Sequence, residues 1–240
     1  MEEKQLITID EAAKILGISK DTLRRWEKSG RLKPIEKSAA GYRLYSKSQL
    51  EIHLNDLYKL AKNWDLKQSE IPENFYCSNS AIFQTKLAEI QNTLSQVEEI
   101  KNIFPLVVAI AGEIGNNSFD HNLGNWPDVP GIFFGCDINK KTIVLADRGV
   151  GILATLKRVR PELKTDKEAL KVAFTEIVSG RAPENRGNGL KFVRQVIIEN
   201  PIKVLFKTGN VELQLNKEEI TFREVEPAES FHGCLAIINF

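Results

Sequence analysis

Cysteine, histidine and long apolar runs are all scarce in this sequence. Its three cysteines, Cys77, Cys136 and Cys234, are odd in number and widely spaced, which argues against a disulfide framework and leaves no C-x-x-C pair for zinc. They are expected to be reduced and mostly buried. No stretch reaches the roughly 18 uninterrupted apolar residues of a membrane-spanning helix, and the N-terminus MEEKQLITID is acidic and polar where a secretory signal is basic and then apolar. A cytoplasmic protein with no membrane contact is expected. Neither charge dominates, with 33 Lys and Arg against 32 Asp and Glu, and 42% hydrophobic and 27% charged residues are ordinary for a globular chain of one or two domains.

The neutral total hides an asymmetry. Residues 1–62 carry 13 Lys and Arg against 9 Asp and Glu, whereas the remainder carries 20 against 23. Residues 14–47 hold ten basic side chains against Asp21, Glu27 and Glu36, the electrostatic footprint of a surface that meets phosphates, although a solvated basic face is the plain alternative. In TIDEAAKILGISKDTLRRWEKSGRLKP, Thr8 and Glu11 form a capping box for a first helix with Ala12, Ala13, Ile15 and Leu16 inward. Ser19 caps a second helix that turns Leu23 and Trp26 inward, together with Ile18, and leaves Lys20, Arg24, Arg25 and Lys28 outside. Two short helices across a Gly-containing turn predict a helix-turn-helix, and its basic second helix suits a DNA major groove. A turn at residues 39–41 and a strand YRLY then predict a wing, followed by another helix from Ser46.

Through EAAKILGISKDTLRRWEKSGRLKP and GYRLY, residues 6 to about 60 resemble the MerR family of regulators and related winged helices. The resemblance implies double-stranded DNA as partner, with Lys20, Arg24, Arg25, Tyr42, Arg43 and Tyr45 on nucleic acid. Beyond residue 62 no sustained heptad pattern supports the family's long dimerisation helix, so a homodimer stays open. Residues 63–80 mix Asn, Ser and Pro without periodicity and read as a linker.

The larger part, residues 81–240, begins with a packing helix whose apolar positions are Ile82, Leu87, Ile90, Leu94, Val97 and Ile100. Next, FPLVVAIA runs into GEIGNNSFDHN, which places Glu113, Asn117 and His121 four apart on one helix face. Burying such a stripe without a partner costs several kcal/mol, so it must face water, a satisfied network or a ligand. In KTIVLADRGVGI, a strand over residues 142–146 delivers Asp147 ahead of Gly149 and Gly151, and in ENRGNGLKFVRQVI, Gly187 and Gly189 precede a helix with Leu190, Val193, Val196 and Ile197 inward.

Together these three elements resemble the GHKL superfamily of ATP-binding domains, which includes type II topoisomerases, histidine kinases, mismatch-repair MutL proteins and anti-sigma serine kinases. The resemblance implies an α+β two-domain chain. Its C-terminal part would be an α/β sandwich of Bergerat type with helices on one face of a mixed sheet, and residues 153–186 would be an ATP lid. It further implies that Asn117 ligates Mg²⁺, that Asp147 binds the adenine amino group, and that His121, Gly149, Gly151, Gly187, Gly189 and Leu190 surround ATP. Cys234 stands where the superfamily has Thr, and Lys157, Arg158, Arg181 and Arg186 are the lid's candidates for the γ-phosphate. Glu113, four residues before Asn117, is the expected catalytic base, and none of the histidines, His53, His121 and His232, sits in a phosphoacceptor motif. The expected function is an ATP-binding and ATP-hydrolysing DNA-binding regulator in which nucleotide state modulates DNA or partner binding. The alternative is an anti-sigma-type serine/threonine kinase acting on a protein partner.

Overall fold

Thr8 and Glu11 start the first helix as their spacing predicts. The Glu11 carboxylate accepts from the Thr8 amide at 2.8 Å, and the Glu11 amide donates to the Thr8 hydroxyl at 3.4 Å. The computed structural model describes residues 6–16, 18–28, 32–47, 50, 56–67, 73–176, 189–226 and 230–240. They belong to two units, Met1–Asp56 and Leu57–Phe240.

In the first unit, strand β1 (Leu6–Thr8) precedes helices α1 (Ile9–Leu16) and α2 (Lys20–Lys28), and the hairpin β2 (Glu36–Lys37) and β3 (Arg43–Ser46) follows. Strand β3 is central and antiparallel to both neighbours. Ser19 caps α2 by accepting the Thr22 amide at 3.1 Å. The core is small: Ala12, Leu23, Leu32, Tyr45 and Leu50, with Ile18 and Trp26 at its edge. Ile15, expected inward, is 44% exposed, because at about 100° per residue it falls off the stripe that 12, 13 and 16 define.

The second unit opens with α3 (Leu57–Asp65) and β4 (Tyr76–Cys77), then α4 (Ser80–Leu94), α5 (Phe104–Asn122), β5 (Ile132–Asp137) and β6 (Thr142–Asp147). Helices α6 (Gly151–Lys157), α7 (Asp166–Thr175) and α8 (Gly189–Glu199) lead to β7 (Lys203–Gly209), β8 (Val211–Leu215), β9 (Ile220–Glu224) and the long last strand β10 (Phe231–Asn239). The division between Asp56 and Leu57 corrects the expected boundary at residue 62. Leu57, Ala61 and Trp64 recur at helical spacing and are all buried, the larger side chains each stabilising by about 1.5–3 kcal/mol, and this commits the segment to the second unit. Within the expected linker, Tyr76 and Cys77 pair with Phe133 and Ile132.

The seven strands run in the order β4-β5-β6-β10-β7-β8-β9. Among the described residues every neighbouring pair is antiparallel, where a mixed sheet was expected. The reason lies in the chain path. Strands β6 and β7 do run the same way across a helical crossover, but the last strand inserts between them and pairs antiparallel with both. The expected single helical face is also corrected. Ile132 and Phe134 belong to the main core with α4, α5, α7 and α8. Phe133 points the other way and stacks on Phe75 at 5.2 Å, and a Cβ on Gly135 would meet Leu57 of α3.

Candidate functional site

Helix α5 sets the site by continuing its apolar stripe into polar residues. Val107, Ala111 and Ile114 face the core, and the same stripe one and two turns later carries Ser118 and Asn122. Both serve the end of β6. The Ser118 hydroxyl donates to Asp147 at 2.6 Å, and Asn122, 4% exposed, donates to the Ser118 carbonyl while accepting the Val150 amide at 2.9 Å. Asp147 itself is buried and also accepts the Gly149 amide at 2.9 Å. Burial raises its pKa first of all, opposed by the hydrogen bonds from Ser118 and from the Gly149 and Cys234 amides.

The loop that follows is held by close approach. A Cβ on Gly149 would lie 2.2 Å from the Asn122 amide group, and one on Gly233 would lie 2.0 Å from the Asp147 carbonyl. Gly151 has φ +77° and starts α6. Beside this loop is a cavity that opens to solvent. Asn117, His121, Asp147, Gly151, Leu190 and Cys234, drawn from five separate elements, line it together with Ile114, Ile152 and Phe206. Apolar walls with a few convergent polar groups and one buried carboxylate are the features of a ligand site.

The remaining expectations meet the structure unevenly. Glu113 does not line the cavity. It stands at its edge against the first residue of α8, where a Cβ on Gly189 would be 2.5 Å from the carboxylate and 3.4 Å from the Asn117 amide. His121 lines the cavity from an exposed position. Gly187, Arg181 and Arg186 lie outside the described residues. Lys157 and Arg158 are exposed. A lid beginning at 153 is corrected, because α7 is capped by a Thr165 and Glu168 box and buries Leu170 and Phe174, the latter 5.5 Å from Phe206. At Cys234 the thiol donates to Thr208 at 3.7 Å, and that hydroxyl donates to the Gly233 carbonyl. Burial raises the thiol's pKa, with the Asp147 charge adding to it. Sequence reasoning missed Ser118, Asn122, Thr208 and Gly233. For the first two a signal existed, since they extend the 107, 111, 114 stripe, whereas the stripe chosen from sequence, 113, 117 and 121, lies beside it.

In the first unit, Lys20, Arg24 and Arg25 are exposed on α2, with Lys20 paired to Asp10 at 2.6 Å and Arg24 to Asp21 at 2.8 Å. Tyr42 is 67% exposed beside the hairpin, and Arg43 pairs with Glu27 of α2 at 2.5 Å, tying the hairpin to that helix. Tyr45 is a correction. Fully buried in the small core, it offers no surface to a ligand. The three cysteines are thiols outside any disulfide, with Cys77 buried and the other two half-buried. Among the described residues no helix is long and apolar enough to cross a membrane, and no group of three or more His, Cys, Asp or Glu could hold a metal ion.

The family described as "MerR family regulatory protein" matches residues 8–45. The chain is 47% identical over 45 residues to a "Probable heavy metal-dependent transcriptional regulator" of Haemophilus influenzae, a match covering 19% of this chain and 35% of the relative. It is 34% identical over 73 residues to the "Type II methyltransferase M.Eco47II" of Escherichia coli, covering 30% of this chain and 17% of that protein. The chain therefore spans about a third and about a sixth of these two curated relatives. Two capped helices, the hairpin after them and the match over residues 8–45 make the N-terminal unit a MerR-family helix-turn-helix domain.

Proposed function

We propose that this chain is a DNA-binding transcriptional regulator whose C-terminal unit binds ATP with Mg²⁺. For DNA, the support is the MerR-family domain, with Lys20, Arg24 and Arg25 exposed on its second helix and Tyr42 and Arg43 at its hairpin. Such a helix presents Arg to guanine edges and phosphates in the major groove, and the hairpin reaches the backbone. The relative described as a transcriptional regulator points the same way.

For ATP, one observation carries the reading: Asn117, Asp147, Gly151, Leu190 and Cys234 converge on a single cavity. The residues fit the group. Ile114, Ile152, Leu190 and Phe206 offer apolar walls to a flat base, and the buried Asp147 carboxylate is the acceptor for an exocyclic amine. Asn117 would hold Mg²⁺, His121 would stand at the rim, and Gly149, Gly151, Gly187 and Gly189 would let backbone approach the nucleotide. ATP would supply a transferable phosphoryl group. Glu113, beside Gly189 and Asn117, would accept a proton from a nucleophile, a role worth roughly 10²- to 10⁴-fold. In this reading the unit is a variant of the Bergerat fold with a helix on the second face of its sheet.

Titrating ATP with and without Mg²⁺ into wild type and Asn117→Ala tests the site and the metal together. Metal-dependent binding in the wild type, weakened in the variant, is expected, and no uptake at millimolar ATP rejects the reading. Labelled ATP then separates regulator from kinase, since free phosphate without labelled protein belongs to the first. Repeating the titration with double-stranded DNA tests coupling, which unchanged DNA affinity would reject.

A further inference from the structure

The loop that follows β6 has a second side. While Asp147 and Gly151 border the cavity, Arg148 points away from it, is 9% exposed, and pairs with Asp128. Its guanidinium stands 5.7 Å from the ring of Trp64, the penultimate residue of α3. The last residue, Asp65, is fully buried in the same place. This junction is poorly satisfied. Among the described residues the side chains of Trp64 (Nε1), Asp65 (Oδ1 and Oδ2) and Arg148 (Nε) have no hydrogen-bond partner of good geometry. The His232 amide lies near Asp65 and favours its charge, but burial and the neighbouring Asp147 outweigh it and push the Asp65 pKa up to about 8.

Unsatisfied buried groups each cost about 1–3 kcal/mol, so the apolar docking of Leu57, Ala61 and Trp64 is opposed where α3 meets the loop. Such a contact is easily biased. The cavity side supplies the bias, because a donor arriving at Asp147 joins the Ser118 hydroxyl and the Gly149 amide on the same two oxygens and draws on the charge that holds them. A ligand there loads the group that anchors the loop, and Arg148 is the next residue along the backbone.

We infer that α3 is the output element of the cavity: a ligand held by Asp147 resets the Arg148, Trp64 and Asp65 junction and with it the docking of the helix. Because α3 begins at Leu57, directly after the MerR-type unit ends, its docking is the first property of the second unit that the DNA-binding unit meets along the chain. The inference rests on the nucleotide reading for the ligand's identity, while the junction itself stands on the residues named.

Hydrogen exchange of the full chain, followed by mass spectrometry with and without Mg·ATP, tests it on wild type, Asp65→Asn and Trp64→Phe. In wild type, ATP is expected to change exchange over residues 57–65 by about fivefold or more. Both variants are expected to take up ATP within about threefold of wild type, with the change over 57–65 reduced below about twofold. ATP uptake with no change over 57–65 in wild type, or variants responding as wild type does, overturns the inference and leaves the nucleotide reading intact. No ATP uptake by wild type removes both.

Discussion

On the cavity side of the 147–151 loop polar atoms are matched: Asp147 accepts from Ser118 and Gly149, and Asn122 uses both ends of its amide. On the far side, Trp64, Asp65 and Arg148 bring four buried polar atoms together without matching them. The two sides share one backbone, and the difference separates two tasks. Matched hydrogen bonds fix a geometry that a ligand needs ready-made. Unmatched ones leave a contact near balance, which suits an element that has to respond.

The comparison breaks most completely if the matched side cannot close. Gly233→Ala puts a Cβ 2.0 Å from the Asp147 carbonyl and 2.6 Å from the Gly149 amide, both backbone, so neither can swing aside. Loss of more than about 3 kcal/mol is expected, read as failure of the second unit to unfold cooperatively in a thermal melt. On the unmatched side the sign reverses. Unfolded, the Asp65 carboxyl releases its proton near pH 4, but folded it keeps the proton to about pH 8. The folded state therefore binds one more proton across that window, and stability falls as pH rises through it by about 1.4 kcal/mol per unit. Asp65→Asn removes this contribution, so the variant should become progressively more stable than wild type from pH 4 to pH 8 in urea titrations. A difference that does not grow with pH contradicts the placement of Asp65. Asn122→Ala strands the Val150 amide, with about 1–3 kcal/mol lost at any pH, measured in the same titrations.

Legibility in the sequence followed the same division. Helix caps at Thr8 and Ser19 are local, and so are the strand ending in Asp147 and the start of the helix at residues 189–190; each could be read within a few residues. Helix α3 was not legible as part of the second unit, because what commits it is a sheet face formed by Phe133 and Gly135 some seventy residues later. The direction of the sheet was hidden for a related reason: only the final strand, inserted between β6 and β7, makes it antiparallel throughout. At the site, Asn117 and Asp147 could be found from their own motifs. Ser118 and Asn122 required knowing which stripe of α5 faces β6, and a stripe of Glu, Asn and His looks more chemical than one of Ile, Ser and Asn.

Tyr45 gives the smallest test and extends the comparison to the first unit. Its hydroxyl is a single unmatched polar atom in a small core, whereas the α3 junction holds four. Burial raises its pKa first, with the Glu27 charge adding, so it stays neutral at ordinary pH and its loss removes no charge. Tyr45→Phe deletes only the stranded oxygen, and stability should rise by about 0.5–1 kcal/mol or stay level. DNA affinity should be unchanged within about twofold, with the same salt dependence, whereas Arg24→Ala should lower the slope of log affinity against log salt by about one. If Tyr45→Phe instead weakens DNA binding as Arg24→Ala does, the hydroxyl reaches the backbone in the complex, and β3 must leave its place in the core to let it.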